Sequence, residues 1–115
     1  LLLYHNPNKT MYSLHMAVDA KQEAPEKVLA VPLDKFFDDN KIEHCDFMKC
    51  DCEGSEIEIF SGIGFKNVAE RINTIVTEYH EWSGRPVSQL LDAFRLRGFK
   101  TQIIPSSAKL IVAQR

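Results

Sequence analysis

The chain has 115 residues, 44% hydrophobic and 26% charged, with a formal net charge of −2; this describes one ordinary globular domain with a single core. Its 14 Lys and Arg are scattered rather than striped, so a nucleic-acid surface is not expected. No apolar run approaches the ~20 residues of a bilayer span. The opening Leu1-Leu2-Leu3-Tyr4-His5 has neither a basic region nor a cleavage-like site, which argues against a secretory leader and for a cytoplasmic protein. Beginning inside an apolar run without methionine, the chain reads as a piece of a longer protein.

Residues 1–31 form a lead-in of strands and loops. "LLLYHNP" and "MYSLHMAV" read as short strands around the turn signal Asn6-Pro7-Asn8, Lys21 to Lys27 as a polar loop, and Val28 to Val31 as a third short strand. Pro32 opens a short helix over "PLDKFFDDN", with Leu33, Phe36 and Phe37 inward and Asp34, Asp38 and Asp39 on the solvated side. Cys45 to Cys52 is a strand apolar enough to lie in a covered sheet. Gly54 breaks it, Ser55 is placed to cap a helix, and Ile57 and Phe60 repeat at helical spacing towards Gly62.

"INTIVTEY" is a β-branched strand running into His80. In "RPVSQLLDAFRLRGF", the stripe Val87, Leu90, Leu91 and Phe94 lies between Pro86 and Gly98, a helix with start and stop signals. "FKTQII" and "KLIVAQ" are two further strands joined by Pro105 to Ala108. Strand–helix alternation implies parallel pairing by right-handed crossovers, whereas the last connection is long enough only for an antiparallel return. The expected fold is α/β: the C-terminal half of a doubly wound, Rossmann-like sheet, its parallel strands ending in an antiparallel hairpin.

Ligands of open α/β sheets bind beyond the carboxyl ends of the strands. Asp51, Glu53 and Gly54 are placed there by one strand, with Lys49 two residues deeper, and Glu78 and His80 by the next. Strand alternation puts Lys49 and Asp51 on one face and Cys50 and Cys52 on the other. Asp51 is the first candidate for an active-site acid, against a role capping the following helix. Glu53 serves equally as a site acid or as a charge favoured by a helix N-terminus. Lys49 is expected to pair with Asp51 or Glu78 and hold the corner in shape, and Glu78 to support it.

His80 is a candidate general base, since an imidazole titrates near neutrality; at a strand end it is also often a plain surface residue. His5, His15 and His44 have no evident partner, and Trp82 with Tyr79 lines either a pocket or the sheet edge. Cys45, Cys50 and Cys52 lack paired zinc-ligand spacing, and Cys50 and Cys52 read as two small buried hydrophobes in a reducing compartment, so no metal site is expected.

"VPLDKFF" followed by "DFMKCDCEGSEIEIFSG" resembles the FkbM-type family of S-adenosylmethionine-dependent methyltransferases. The family pattern of Asp, two apolar residues, Lys-x-Asp-x-Glu-Gly and a helical Glu is met by Asp46, Lys49, Asp51, Glu53, Gly54 and Glu56, and "TEYH" fits the acid-bearing end of the next strand. The resemblance spans roughly Val28 to Arg115. It departs from the pattern at Pro32, where the family has threonine, and in having no glycine-rich strand–turn–helix loop.

It implies an S-adenosylmethionine-dependent methyltransferase acting on a hydroxyl of a small molecule, sugar or lipid. Asp51, Glu53 and His80 would be catalytic and Lys49 and Glu78 supporting, with the cofactor bound mainly by an N-terminal half absent from these residues. Alone, the fragment is expected to be inactive; the exposed edge of its first parallel strand is expected either to be covered by residues 1–31 or to pair two copies. The competing classes are a non-catalytic α/β binding or assembly module and a small metal-binding regulator using the cysteines.

Overall fold

The computed structural model describes residues 2–6, 11–13, 26–81, 84–105 and 109–115. Near the N-terminus, β1 (Leu2–Asn6) pairs antiparallel with β2 (Met11–Ser13) and with β3 (Glu26–Lys27). The strand expected at Val28 to Val31 is not formed. Pairing stops at Lys27, inside the segment expected to be a loop, and Leu29 and Val31 lie exposed. Pro32 explains part of this, because it offers no N–H and forces its predecessor into an extended lead-in to α1 (Leu33–Asp39). The turn signal at Asn6-Pro7-Asn8, most of the Lys21 to Lys27 loop, His15 and the connection after Pro105 lie wholly or partly outside the described residues.

The site is carried by a second sheet of β4 (Cys45–Cys50), β5 (Ile72–Glu78), β6 (Lys100–Ile104) and β7 (Leu110–Gln114). β4 and β5 are parallel, with Lys49 opposite Val76 and Cys50 opposite Thr77. The strand order is β4-β5-β7-β6: the C-terminal hairpin is present as expected, but β7 inserts between β5 and β6 and runs antiparallel to both. β6 therefore keeps the direction of β5 without touching it. The result is a mixed four-stranded sheet in a small α/β fold.

Helices pack on one face of this sheet. α2 (Glu56–Ser61), α3 (Ile63–Val68) and α4 (Val87–Arg95) meet through Phe60, Phe65 and Phe94, whose ring centroids lie 4.7–6.0 Å apart. These rings cover Ile72, Ile75, Ile111 and Ala113 of the central strands, all fully buried. Each large apolar side chain so buried contributes about 1.5–3 kcal/mol. Helix α3, for which the sequence reading made no assignment, starts where Gly62 turns extended after α2.

α1 turns Phe37 into the core but leaves Phe36 half exposed, against expectation. In a helix of two turns the inward stripe is Leu33 and Phe37, four residues apart, and Phe36 falls beside it. The acids of α1 are partnered rather than merely solvated. Asn67 donates to Asp34 at 2.7 Å, holding its carboxyl below the usual carboxylate range, and Asp38 and Asp39 pair with Arg71 and Lys35. Gly64 packs closely under α1, where a Cβ would stand 3.0 Å from the Leu33 nitrogen.

At the amino end of the sheet two arginines close the fold. Arg71 donates to Asp38 and to the Ile42 carbonyl, and its guanidinium lies 5.2 Å from the Phe37 ring centroid. Arg115 donates to the carbonyls of Ala69 and Arg97 and covers the Phe99 ring. His44 has partners there after all, in Asp46 and Asn73. Among the described residues no helix is long and apolar enough to cross a membrane.

Candidate functional site

β4 ends at Cys50, two residues earlier than its composition suggests. The chain then makes a tight turn from Cys52 to Ser55, closed by the Ser55 N–H donating to the Cys52 carbonyl at 3.2 Å. Both central residues have positive φ, 49° at Glu53 and 96° at Gly54. Glycine adopts this freely, whereas for glutamate it costs on the order of 1 kcal/mol. The turn lifts Glu53 over the carboxyl end of β5 and feeds directly into α2.

Glu56, in the first turn of α2, holds this geometry. It is only 2% exposed, and its carboxylate accepts the N–H groups of Cys52 at 2.8 Å and Gly54 at 3.1 Å. A carboxylate this deep needs such partners, because burying a charge unpaired costs several kcal/mol. Ser55 stands at the N-cap position, but its hydroxyl makes no capping bond. Glu56 does that work from inside the helix by reaching back to the turn.

His80 follows β5 and sits among acids. Its Nδ1 lies 3.2 Å from Glu56 Oε1, and its Nε2 lies 3.5 Å from Glu53 Oε2 and 4.0 Å from Glu78 Oε1. The imidazole side chain is only one-tenth exposed, so it is no plain surface histidine. Burial raises the Glu53 carboxyl above its ordinary range, with the charges of Asp51, Glu78 and Glu56 adding to the effect and His80 opposing it. Asp51 is bridged to Lys49 at 3.3 Å and does not cap α2. Lys49 is well exposed, so this pair adds little stability.

The sequence-predicted residues thus come together. Asp51, Glu53 and His80 each offer a ligand-type atom within 4.8 Å of the others, and Glu78 stands at the edge. Oxygen and nitrogen donors so placed suit a cation or a proton. Lys49 already compensates Asp51, and His80 lies within 4.0 Å of three carboxylates. Glu56 was legible only as a motif position; its signal was an acid four residues before Phe60 on the apolar stripe of α2. Beside His80 runs a narrow cleft lined by Gly54, Ile57, Tyr79, Arg85 and Leu90 among others, and Arg85 is fastened to Glu58 at 2.7 Å. Trp82 lies outside the described residues.

The cysteines depart from expectation. Cys50 is buried, but Cys52, beyond the end of β4, is exposed. The alternation itself is seen as two pairs: Lys49 with Asp51, and Cys50 with Cys52, whose sulfurs are 3.5 Å apart.

No curated protein and no solved structure matches the chain. The family model described as the methyltransferase FkbM domain matches residues 3–101, reaching well into the N-terminal strands where the motif resemblance began only near Val28. With that match covering most of its length, and with the acid-rich corner between β4 and β5 formed by the motif residues themselves, the chain belongs to the FkbM methyltransferase family.

Proposed function

We propose that the corner serves methyl transfer from S-adenosylmethionine to a hydroxyl group of a small molecule, sugar or lipid. The carrying observation is the convergence of Asp51, Glu53 and His80 within 4.8 Å at the carboxyl ends of two adjacent parallel strands. When bound, S-adenosylmethionine supplies an electrophilic methyl group. The described residues are a poor fit for holding it: they contain no glycine-rich loop, and the cleft beside His80 has room for little more than a water molecule. The cofactor contacts therefore belong mainly to other residues, and these 115 residues alone are inactive.

The corner acts on the acceptor. His80 takes the proton of the acceptor hydroxyl at Nε2, while Glu56, 3.2 Å from Nδ1, fixes the ring and stabilises the imidazolium that forms. Asp51 and Glu53 orient the acceptor, Lys49 positions Asp51, and Glu78 adds negative potential beside the ring. Two copies pair along the outer edge of β4, which light scattering can check.

In the complete protein, Asp51→Asn should lower the transfer rate ~100-fold, the scale of a positioned acid–base group. Stability should stay within about 0.5 kcal/mol, as for other accessible sites. An Asp51→Asn protein that melts early while its folded fraction keeps full rate would make the corner structural. The second reading, a non-catalytic binding module, is favoured by the poor fit to the cofactor. Calorimetry on the complete protein separates the two: absence of S-adenosylmethionine binding there would establish the module.

A further inference from the structure

We propose that Cys50 and Cys52 form an oxidisable dithiol, a modification site in which hydrogen peroxide converts the pair to an intramolecular disulfide. The two residues divide the work by position. Cys52 is exposed on the turn and meets the oxidant; Cys50 is buried at the end of β4, its sulfur 3.5 Å from that of Cys52. On a regular strand, residues two apart stand about 6–7 Å from each other. The sulfurs are already in contact on one side of the chain, and closing to the ~2 Å of a disulfide asks for a movement of roughly 1.5 Å.

The surroundings favour Cys52 as the first thiol to react. Hydrogen bonding from Cys50 pulls the Cys52 thiol down to about 7, against the opposing effects of burial and of the Glu56 and Asp51 charges. Its neighbour and its burial hold Cys50 protonated, with Thr77 working weakly the other way. The thiolate is the reactive form, so Cys52 attacks and Cys50 resolves.

The chemistry balances with peroxide as the only co-reactant. The Cys52 sulfur attacks one peroxide oxygen, the O–O bond breaks, and the departing hydroxide takes up a proton to leave as water. Cys52 is then a sulfenic acid. The Cys50 sulfur gives up its proton and attacks the Cys52 sulfur, the S–O bond breaks, and a second water leaves. Two thiols are oxidised by two electrons and one peroxide is reduced.

The product acts on the corner. The Cys52 N–H is tied to Glu56, and Asp51 and Glu53 flank it in the chain, so drawing Cys52 towards β4 strains the turn that carries both acids. The oxidation itself stands whether or not the corner transfers methyl groups.

The test is intact-mass and peptide mass spectrometry of the protein after titration with hydrogen peroxide. The expected result is loss of two hydrogens, reversed by a thiol reductant, with the 50–52 peptide linked internally and Cys45 still free. Cys50→Ala should stop at a sulfenic acid on Cys52 that dimedone traps. Cys52→Ser should consume peroxide roughly 10-fold more slowly. Cys45 oxidising as fast as Cys52, or Cys52 proceeding to sulfinic acid in the unaltered protein with no linked product, would overturn the proposal.

Discussion

The two ends of the β4–β5 strand pair handle charge in opposite ways. At the amino end, Arg71 and Arg115 spend their donors on backbone carbonyls and lay their planes over Phe37 and Phe99. At the carboxyl end, Asp51, Glu53, Glu56 and Glu78 gather around His80 with Lys49 as the neighbouring cation. The first arrangement closes a fold, since each arginine caps a backbone carbonyl that folding would otherwise strand. The second concentrates like charge and holds a glutamate at positive φ, which stability alone does not call for. Glu56 links the two behaviours: it belongs to the site by position and to the fold by its bonds.

Three substitutions sharpen this contrast. Glu56→Ala should have the largest effect, about 3 kcal/mol or more lost in denaturant unfolding, because the Cys52 and Gly54 N–H groups lose their acceptor and the turn its anchor. A loss under ~1 kcal/mol would remove Glu56 from the fold's side of the comparison. Arg71→Ala should cost about 1–2 kcal/mol at the amino end, from charge-assisted bonds and the contact with Phe37. In the complete protein it should leave turnover unchanged, and a matched fall in rate would break the division between ends.

Glu53→Gln should have the smallest effect and the opposite sign. A carboxyl raised above its ordinary 4.5 contributes stability that is fully present below that value and is lost as pH rises through the folded value. The glutamine variant, uncharged throughout, should thus melt slightly higher than the parent at pH 7, by no more than about 0.5 kcal/mol in stability. The gain should vanish near pH 4. A variant that melts lower at pH 7 would mean that attraction to His80 outweighs burial.

Much of the sheet was legible because its signals are local. β5 announces itself by β-branched residues, α4 by the stripe from Val87 to Phe94, and the Lys49 to Glu56 stretch by polar residues at fixed spacing. What escaped depends on contacts distant in sequence. No local pattern says that β7 enters between β5 and β6, since either neighbour would bury Ile111 and Ala113 equally well. The exposure of Cys52 depends on where β4 stops, which is set by the Glu56 bond to the turn. Val28 to Val31 had the composition of a strand, but strand composition produces no strand where no partner pairs with it. For the candidate site, the sequence brought Asp51, Glu53, Glu78 and His80 to one edge, but not the burial of His80, which needs α2 in place.

The place of β7 has a consequence for the order in which the protein can be made. β7 follows the other three strands of its sheet in the chain yet sits in the sheet's interior, so the edge of β5 stays open until Leu110–Gln114 has emerged. At ribosomal speeds of ~5–20 residues per second, roughly 2 to 7 seconds separate the completion of β5 from the arrival of its partner. During that interval Ile75 and Thr77 lack their native neighbours, and β5 presents a pairing edge to any other chain. Because its decisive pairings are non-local, this domain should fold slowly for its size.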